Sequence, residues 1–208
     1  MPGRCDGVRA VALVGPTLSG KTSLMEALLQ AAGSSDRPGS VGDQSPEARA
    51  REHSTEPTFA GLSYLDDRYT LIDCPGAVDF GGDQPLLLPA ADLVLIPCRP
   101  SAFDLAAIKT TASLVKMRGK PAFVIFTAGS PTAPRMYDEA AQLVQDYGLD
   151  ACPHHIADRA AFRHAAAEGK TAMEIEPNGK AADEVRQLYK WACKHVNMPT
   201  FRKRRASA

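Results

Sequence analysis

The chain has 208 residues, with 24 Lys and Arg against 24 Asp and Glu, so its formal net charge is zero. At about 150 residues per domain the length predicts one domain with at most an appendage, and 44% apolar residues are enough to bury a core. The charge balance excludes a whole-protein basic field for nucleic acid, and no apolar run approaches a bilayer span or a signal core. Five scattered cysteines, none in a Cys-x-x-Cys pair, predict reduced thiols that fill the core, and with them a cytoplasmic location.

Residues 8–14 form a short apolar run ending at Gly15, which predicts a buried strand. Residues 21–30 follow with Leu24, Met25, Leu28 and Leu29 at helical spacing, and Gly33 supplies a stop. From residue 33 to 56 the pattern fails, and a loop of that length is functional or disordered. Residues 59–65 and 69–72 read as two strands whose three-residue link, Asp66-Asp67-Arg68, favours an antiparallel pair. Apolar strands are predicted at 93–96 and 122–126, and a helix at 102–117 behind a Ser101/Asp104 capping box. Further helices are predicted at 134–147 and 179–196. A short strand within 151–156 precedes a helix capped near Asp158. Alternating strands and helices with one hairpin predict an α/β three-layer sandwich around a mostly parallel sheet.

Gly15-Pro16-Thr17-Leu18-Ser19-Gly20-Lys21-Thr22 fits G-x-x-x-x-G-K-[ST] at every fixed position, between a strand and a helix, with Ser23 next in line. The two glycines let successive N–H groups point into one cavity, and the helix N-terminus adds its dipole. Lys21 then reaches the β- and γ-phosphates, and the Thr22 hydroxyl is placed for Mg²⁺. The alternative is a glycine-rich turn capping an ordinary helix. About fifty residues on, Asp73 at the tip of an apolar strand opens Asp-Cys-Pro-Gly. This carboxylate suits the Mg²⁺ shell, and the Gly76 N–H suits the γ-phosphate. The fold expected is therefore a P-loop NTPase sandwich, with Lys21, Asp73 and Gly76 serving the reaction.

Residues 8–80 resemble the G domain of translational GTPases of the elongation factor G-like branch. The runs VALVGPTLSGKTSLMEALL, GSVGD, SPEARAREHSTE and YTLIDCPGAVDF carry the likeness. The resemblance implies that 33–56 is a switch region whose Ser54 or Thr55 hydroxyl closes on Mg²⁺. It also implies that the segment opened by Asp73 is a second switch. In elongation factor G a histidine after Asp-x-x-Gly positions the attacking water; here Ala77 stands there, which implies slow hydrolysis.

Residues 90–196 are instead similar to ParA/MinD-type partition ATPases, through AADLVLIPCRPSAFDLAAIKTT, PAFVIFTAGS and the segment from Tyr147 to Val185. The guanine-reading Asn-Lys-x-Asp of GTPases is missing after the 122–126 strand, where Thr127-Ala128-Gly129-Ser130 stands. The partition ATPases' second lysine is matched by Pro16. Together these imply a domain of residues 1–198, either a recombined chimera of two halves (1–80 and 90–198) or one divergent family. Its expected ligands are Mg²⁺ with ATP bound at least as well as GTP, and the partition likeness raises a homodimer. The base is expected near Thr127 and residues 156–158. A tail, 199–208, carries Arg202, Lys203, Arg204 and Arg205, which suit a sequence-blind DNA contact or mere solubility. No membrane partner is expected.

His154 and His155, on the predicted strand, face opposite ways and share no metal. Arg159 and Arg163 read as a solvated helix face, and Tyr189 and Trp191 as packing.

Overall fold

The computed structural model describes residues 8–34, 46, 54–76 and 87–196. Its strands are β1 (Arg9–Leu13), β2 (Thr58–Tyr64), β3 (Asp67–Asp73), β4 (Leu93–Cys98), β5 (Ala122–Gly129), β6 (Asp150–Ala151) and β7 (Ile156–Ala157). They form one sheet in the order β2-β3-β1-β4-β5-β6, with β7 also on β5; among the described residues only β2–β3 is antiparallel. The expected hairpin turns at Leu65 and Asp66, both at positive φ (50° and 67°), as a two-residue primed turn requires. The α-helices are α1 (Lys21–Ala31), α2 (Ala102–Met117), α3 (Pro134–Asp146), α4 (Ala160–Ala167), α5 (Ala172–Ile175) and α6 (Lys180–Val196).

Strand alternation divides the core in two. Val11, Leu13, Leu93, Leu95 and Ile125 pack against α1 and α6, through residues such as Met25, Leu28 and Leu188. The intervening Ala12, Val14, Val94, Ile96 and Val124 pack against α2 and α3. Each cluster draws on residues from both sides of the 81–89 segment, and β4 pairs with β1 in parallel register. Four cysteines, Cys74, Cys98, Cys152 and Cys193, are buried and in no disulfide, and burial pushes the last three up to about 12. Cys5 lies outside the described residues.

Ser101 caps α2 as expected, its hydroxyl accepting the Asp104 N–H at 3.3 Å. Three expectations are corrected. The strand expected within 151–156 is two fragments, β6 and β7: the Cys152 N–H still reaches the Val124 carbonyl of β5, but the next N–H on that side, that of His154, turns to Cys152 Sγ. His154 and His155 therefore lie in the break, where the His155 ring stacks on Tyr137 at 4.1 Å. The next helix starts behind Arg159, not Asp158, with no side-chain cap. Arg159 is also more than a solvated residue: its guanidinium holds the Glu184 carboxylate of α6, which accepts the Ala157 N–H as well. Tyr189 packs edge-on to Tyr64 and donates to the Ser63 carbonyl, while Trp191 packs on Phe123.

Leu188 is fully buried on α6, between the sheet and α1. Leu188→Ala is expected to lower unfolding free energy by about 2–5 kcal/mol in a urea titration.

Candidate functional site

The chain leaves β1 to one side of the sheet and β4 to the other, so the crevice at their C-terminal ends is a topological switch point. Here Val14 donates to the Leu95 carbonyl as the last link between them. Pro97, two residues on, shares Leu95's side of β4, so its missing N–H falls where β1 has already turned away. The turn is the loop of residues 15–22. Gly20 sits at φ 89° immediately before α1, a left-handed position that glycine takes at no steric cost.

Lys21 is 7% exposed, and its ammonium donates to the carbonyls of Gly15 (3.2 Å) and Pro16 (2.8 Å). The Thr22 hydroxyl donates to Asp73 Oδ2 at 2.5 Å, tying the start of α1 to the end of β3. Asp73 is 1% exposed, and its other oxygen, Oδ1, is buried with no hydrogen-bond partner. Burial raises the Asp73 carboxyl above its ordinary value near 3.8, against the opposing pull of Thr22 and Lys21. Burial likewise lowers the Lys21 ammonium. A carboxylate oxygen without a partner beside a threonine hydroxyl is a hard-oxygen donor set of the kind Mg²⁺ takes alongside phosphates, so these residues fit that ion. Thr17 Oγ1 and Ser19 Oγ are also buried without partners in the same loop.

Gly76 lies directly on the loop. A Cβ there would come within 2.2 Å of Thr17 Oγ1 and 2.6 Å of Thr17 Cα, so only glycine lets this segment lie so close. Leu18, 77% exposed, stands between two cavities that share Leu18, Gly20 and Ser23. One, about 270 Å³, is also walled by Lys21, Thr22, Ser54 and Gly76. The other, about 510 Å³, runs from Ser19 past Thr127 and Ala128 to Ile156, Ala157 and Asp158, under α4 and the segment leading into α5. The expected residues are thus gathered around one loop: Lys21, Thr22 and Gly76 on one side, Thr127 and 156–158 on the other. Of the two candidate hydroxyls, that of Ser54 belongs to a residue on the wall of the smaller cavity. Ala77 and Arg202, Lys203, Arg204 and Arg205 lie outside the described residues. Further walls come from Gln30, Phe162, Lys170 and Thr171, which no sequence motif marks.

A glycine loop between β1 and a helix, with a carboxylate at the tip of the adjacent strand, defines a P-loop nucleotide-binding domain. The chain matches the elongation factor Tu GTP binding domain over residues 6–127 and belongs to that family. It is 38% identical over 117 residues to an elongation factor G-like protein of Synechocystis sp., covering 53% of this chain and 17% of that one. It is 44% identical over 95 residues to an elongation factor G-like protein of Mycobacterium tuberculosis, covering 43% and 13%. The chain therefore spans less than a fifth of these relatives' length. A crystal structure of a Thermus thermophilus protein superposes with TM-score 0.57 at 28% identity, over 67% of this chain and 22% of that one. That of a bacterial selenocysteine-specific elongation factor superposes with TM-score 0.53 at 17% identity, over 82% and 28%, a likeness of fold.

Three expectations go beyond these matches. The family is GTP-binding, so ATP as the favoured ligand is not supported. A partition-ATPase second half is not supported either, since the family match and the named relatives are elongation-factor proteins. Nor is a chimera, since the family match extends across the expected junction at residues 81–89. The homodimer and the DNA contact find no support in these matches. Among the described residues no helix is long and apolar enough to cross a membrane.

In the ligand-free protein Asp73 should cost stability wherever it is ionised. Its folded value lies above the unfolded one, so the cost is absent below about pH 3.8 and grows as pH rises through the folded value. Asp73→Asn is expected to have a higher urea midpoint than wild type at pH 7, with the gap closing towards pH 4.

Proposed function

We propose that this domain binds GTP with Mg²⁺ and works as a switch that hydrolyses the β–γ bond slowly. The observation that carries this is the buried Lys21 and Thr22–Asp73 pair on one glycine loop, within a chain of the elongation factor GTP-binding family. The backbone N–H groups of residues 15–22 cradle the phosphates while Lys21 leaves the Gly15 and Pro16 carbonyls to meet the β- and γ-oxygens. Thr22 and Asp73 would hold Mg²⁺, with Ser54 adding a hydroxyl from the opposite wall. When bound, the ion supplies positive charge to the β- and γ-phosphate oxygens.

Gly76 rests on Thr17, so a γ-phosphate entering this cavity meets the Asp73–Gly76 segment first, and its N–H can donate to it. That contact makes the segment responsive to the third phosphate, the basis of a two-state switch. Hydrolysis also needs a group that orients water, and Ala77, next along the chain, offers only a methyl. Slow turnover follows, and the names of the relatives suggest a switch of the elongation factor G-like kind.

Two measurements test this. Lys21→Ala should abolish fluorescent-GTP binding while the far-UV spectrum stays native; retained micromolar affinity would defeat the phosphate-site assignment. Ala77→His should raise the single-turnover hydrolysis rate by about a hundredfold, the usual worth of a positioned general base. An unchanged rate in a variant that still binds GTP would place the rate limit elsewhere.

A further inference from the structure

Reading guanine takes an acceptor pair for its N1–H and 2-amino groups, and the C-terminal end of β5, Thr127-Ala128-Gly129 with Ser130 behind it, has no carboxylate to provide it. The cavity beyond Leu18 nevertheless shares its loop edge with the phosphate cavity, and at about 510 Å³ it has room for a nucleoside. Among the described residues two carboxylates stand on its wall, Glu26 and Asp158. Glu26 is on α1, the helix whose N-terminus takes the phosphates. Asp158 is at the C-terminal end of the sheet, where ligands of such folds place the part beyond the phosphates.

We propose that Asp158 is the carboxylate that reads guanine in this domain, accepting N1–H and the 2-amino group across the cavity. The proposal rests on the reading of the domain as GTP-binding and names the group that makes it selective. Three features support it. β7 lies directly against β5 (Thr127 opposite Ile156, Gly129 opposite Ala157), so Asp158 emerges one strand away from the segment that lacks a carboxylate. Its backbone N–H is fixed to the Gly129 carbonyl at 2.8 Å, which holds its Cα at the cavity mouth. Its side chain is 53% exposed and paired through Oδ1 with Arg163 of α4, 64% exposed, a surface ion pair that costs little to exchange. Apolar walls from Phe162 and Met173, on the α4–α5 side, suit the faces of a purine.

The test is equilibrium titration of GTP, ATP and XTP against wild type, Asp158→Asn, Glu26→Gln and Lys21→Ala, with thermal melts to establish folding. Asparagine keeps an oxygen for N1–H and offers an N–H to the 2-oxo group of xanthine. Asp158→Asn should therefore lose GTP affinity and gain XTP affinity, each by about a hundredfold. Glu26→Gln should bind all three like wild type, and an Asp158→Ala variant should lose GTP without gaining XTP. If Asp158→Asn keeps wild-type GTP affinity while Lys21→Ala abolishes it, the domain binds GTP but Asp158 is not the reader, and the proposal falls alone. A swap of specificity in Glu26→Gln overturns it in the same way. Wild type that binds no nucleotide overturns both this proposal and the function it rests on.

Discussion

Lys21 and Asp73 are opposite charges buried at the same end of one sheet, and much of the site answers to their cost. Each is desolvated, and each is shifted towards its neutral form by that burial. The compensation in the ligand-free protein is partial: two loop carbonyls for the ammonium, one hydroxyl for the carboxylate, and one carboxylate oxygen left without a partner. On the proposed reading, phosphates and a divalent cation would complete what the fold leaves undone. Binding would thereby relieve a desolvation cost already present in the free state, and the segment placed to respond is the one nearest, Asp73 to Gly76.

The scaffold that sets this up is ordinary in its forces. Continuous apolar strands, all six residues of β4 buried, place the loop between two packed helical layers, so β1 and β3 end side by side within a rigid sheet. Gly76 then determines how near the second segment can lie. Any side chain there would displace it from Thr17, and with it the N–H that can meet the γ-phosphate.

The parts of this arrangement that depend on neighbouring residues are legible in the amino-acid order. The glycine loop, the Asp73 strand tip, the hairpin and the period of α1 and α2 are all local patterns. What is not legible depends on long-range packing. Where the ladder breaks after β6 and resumes at β7 is decided by the pairing with β5. The placing of Ser54 on the cavity wall is a matter of one residue in a segment without periodicity. Gln30, Lys170 and Thr171 come together only when α4 and α5 fold over α1. The partition-ATPase resemblance rests on runs within residues 90–196 and finds no support in the matches; the missing guanine motif is of a kind that sits on loops the frame tolerates losing.

That tolerance has a geometric source. β5 and β7 are adjacent and parallel, so their C-terminal ends are separated by one strand spacing, about 4.8 Å. A side chain of two or three bonds beyond Cα spans that gap. A carboxylate lost from the end of one strand can thus be regained from the end of its neighbour with no change in strand order, register or helix packing. The phosphate half of the site has no such latitude, because Lys21, Thr22 and Asp73 are held by one another and by the loop. Variation in a domain like this one should therefore collect on the base side of Leu18, where the walls are exposed and the scaffold asks little of them.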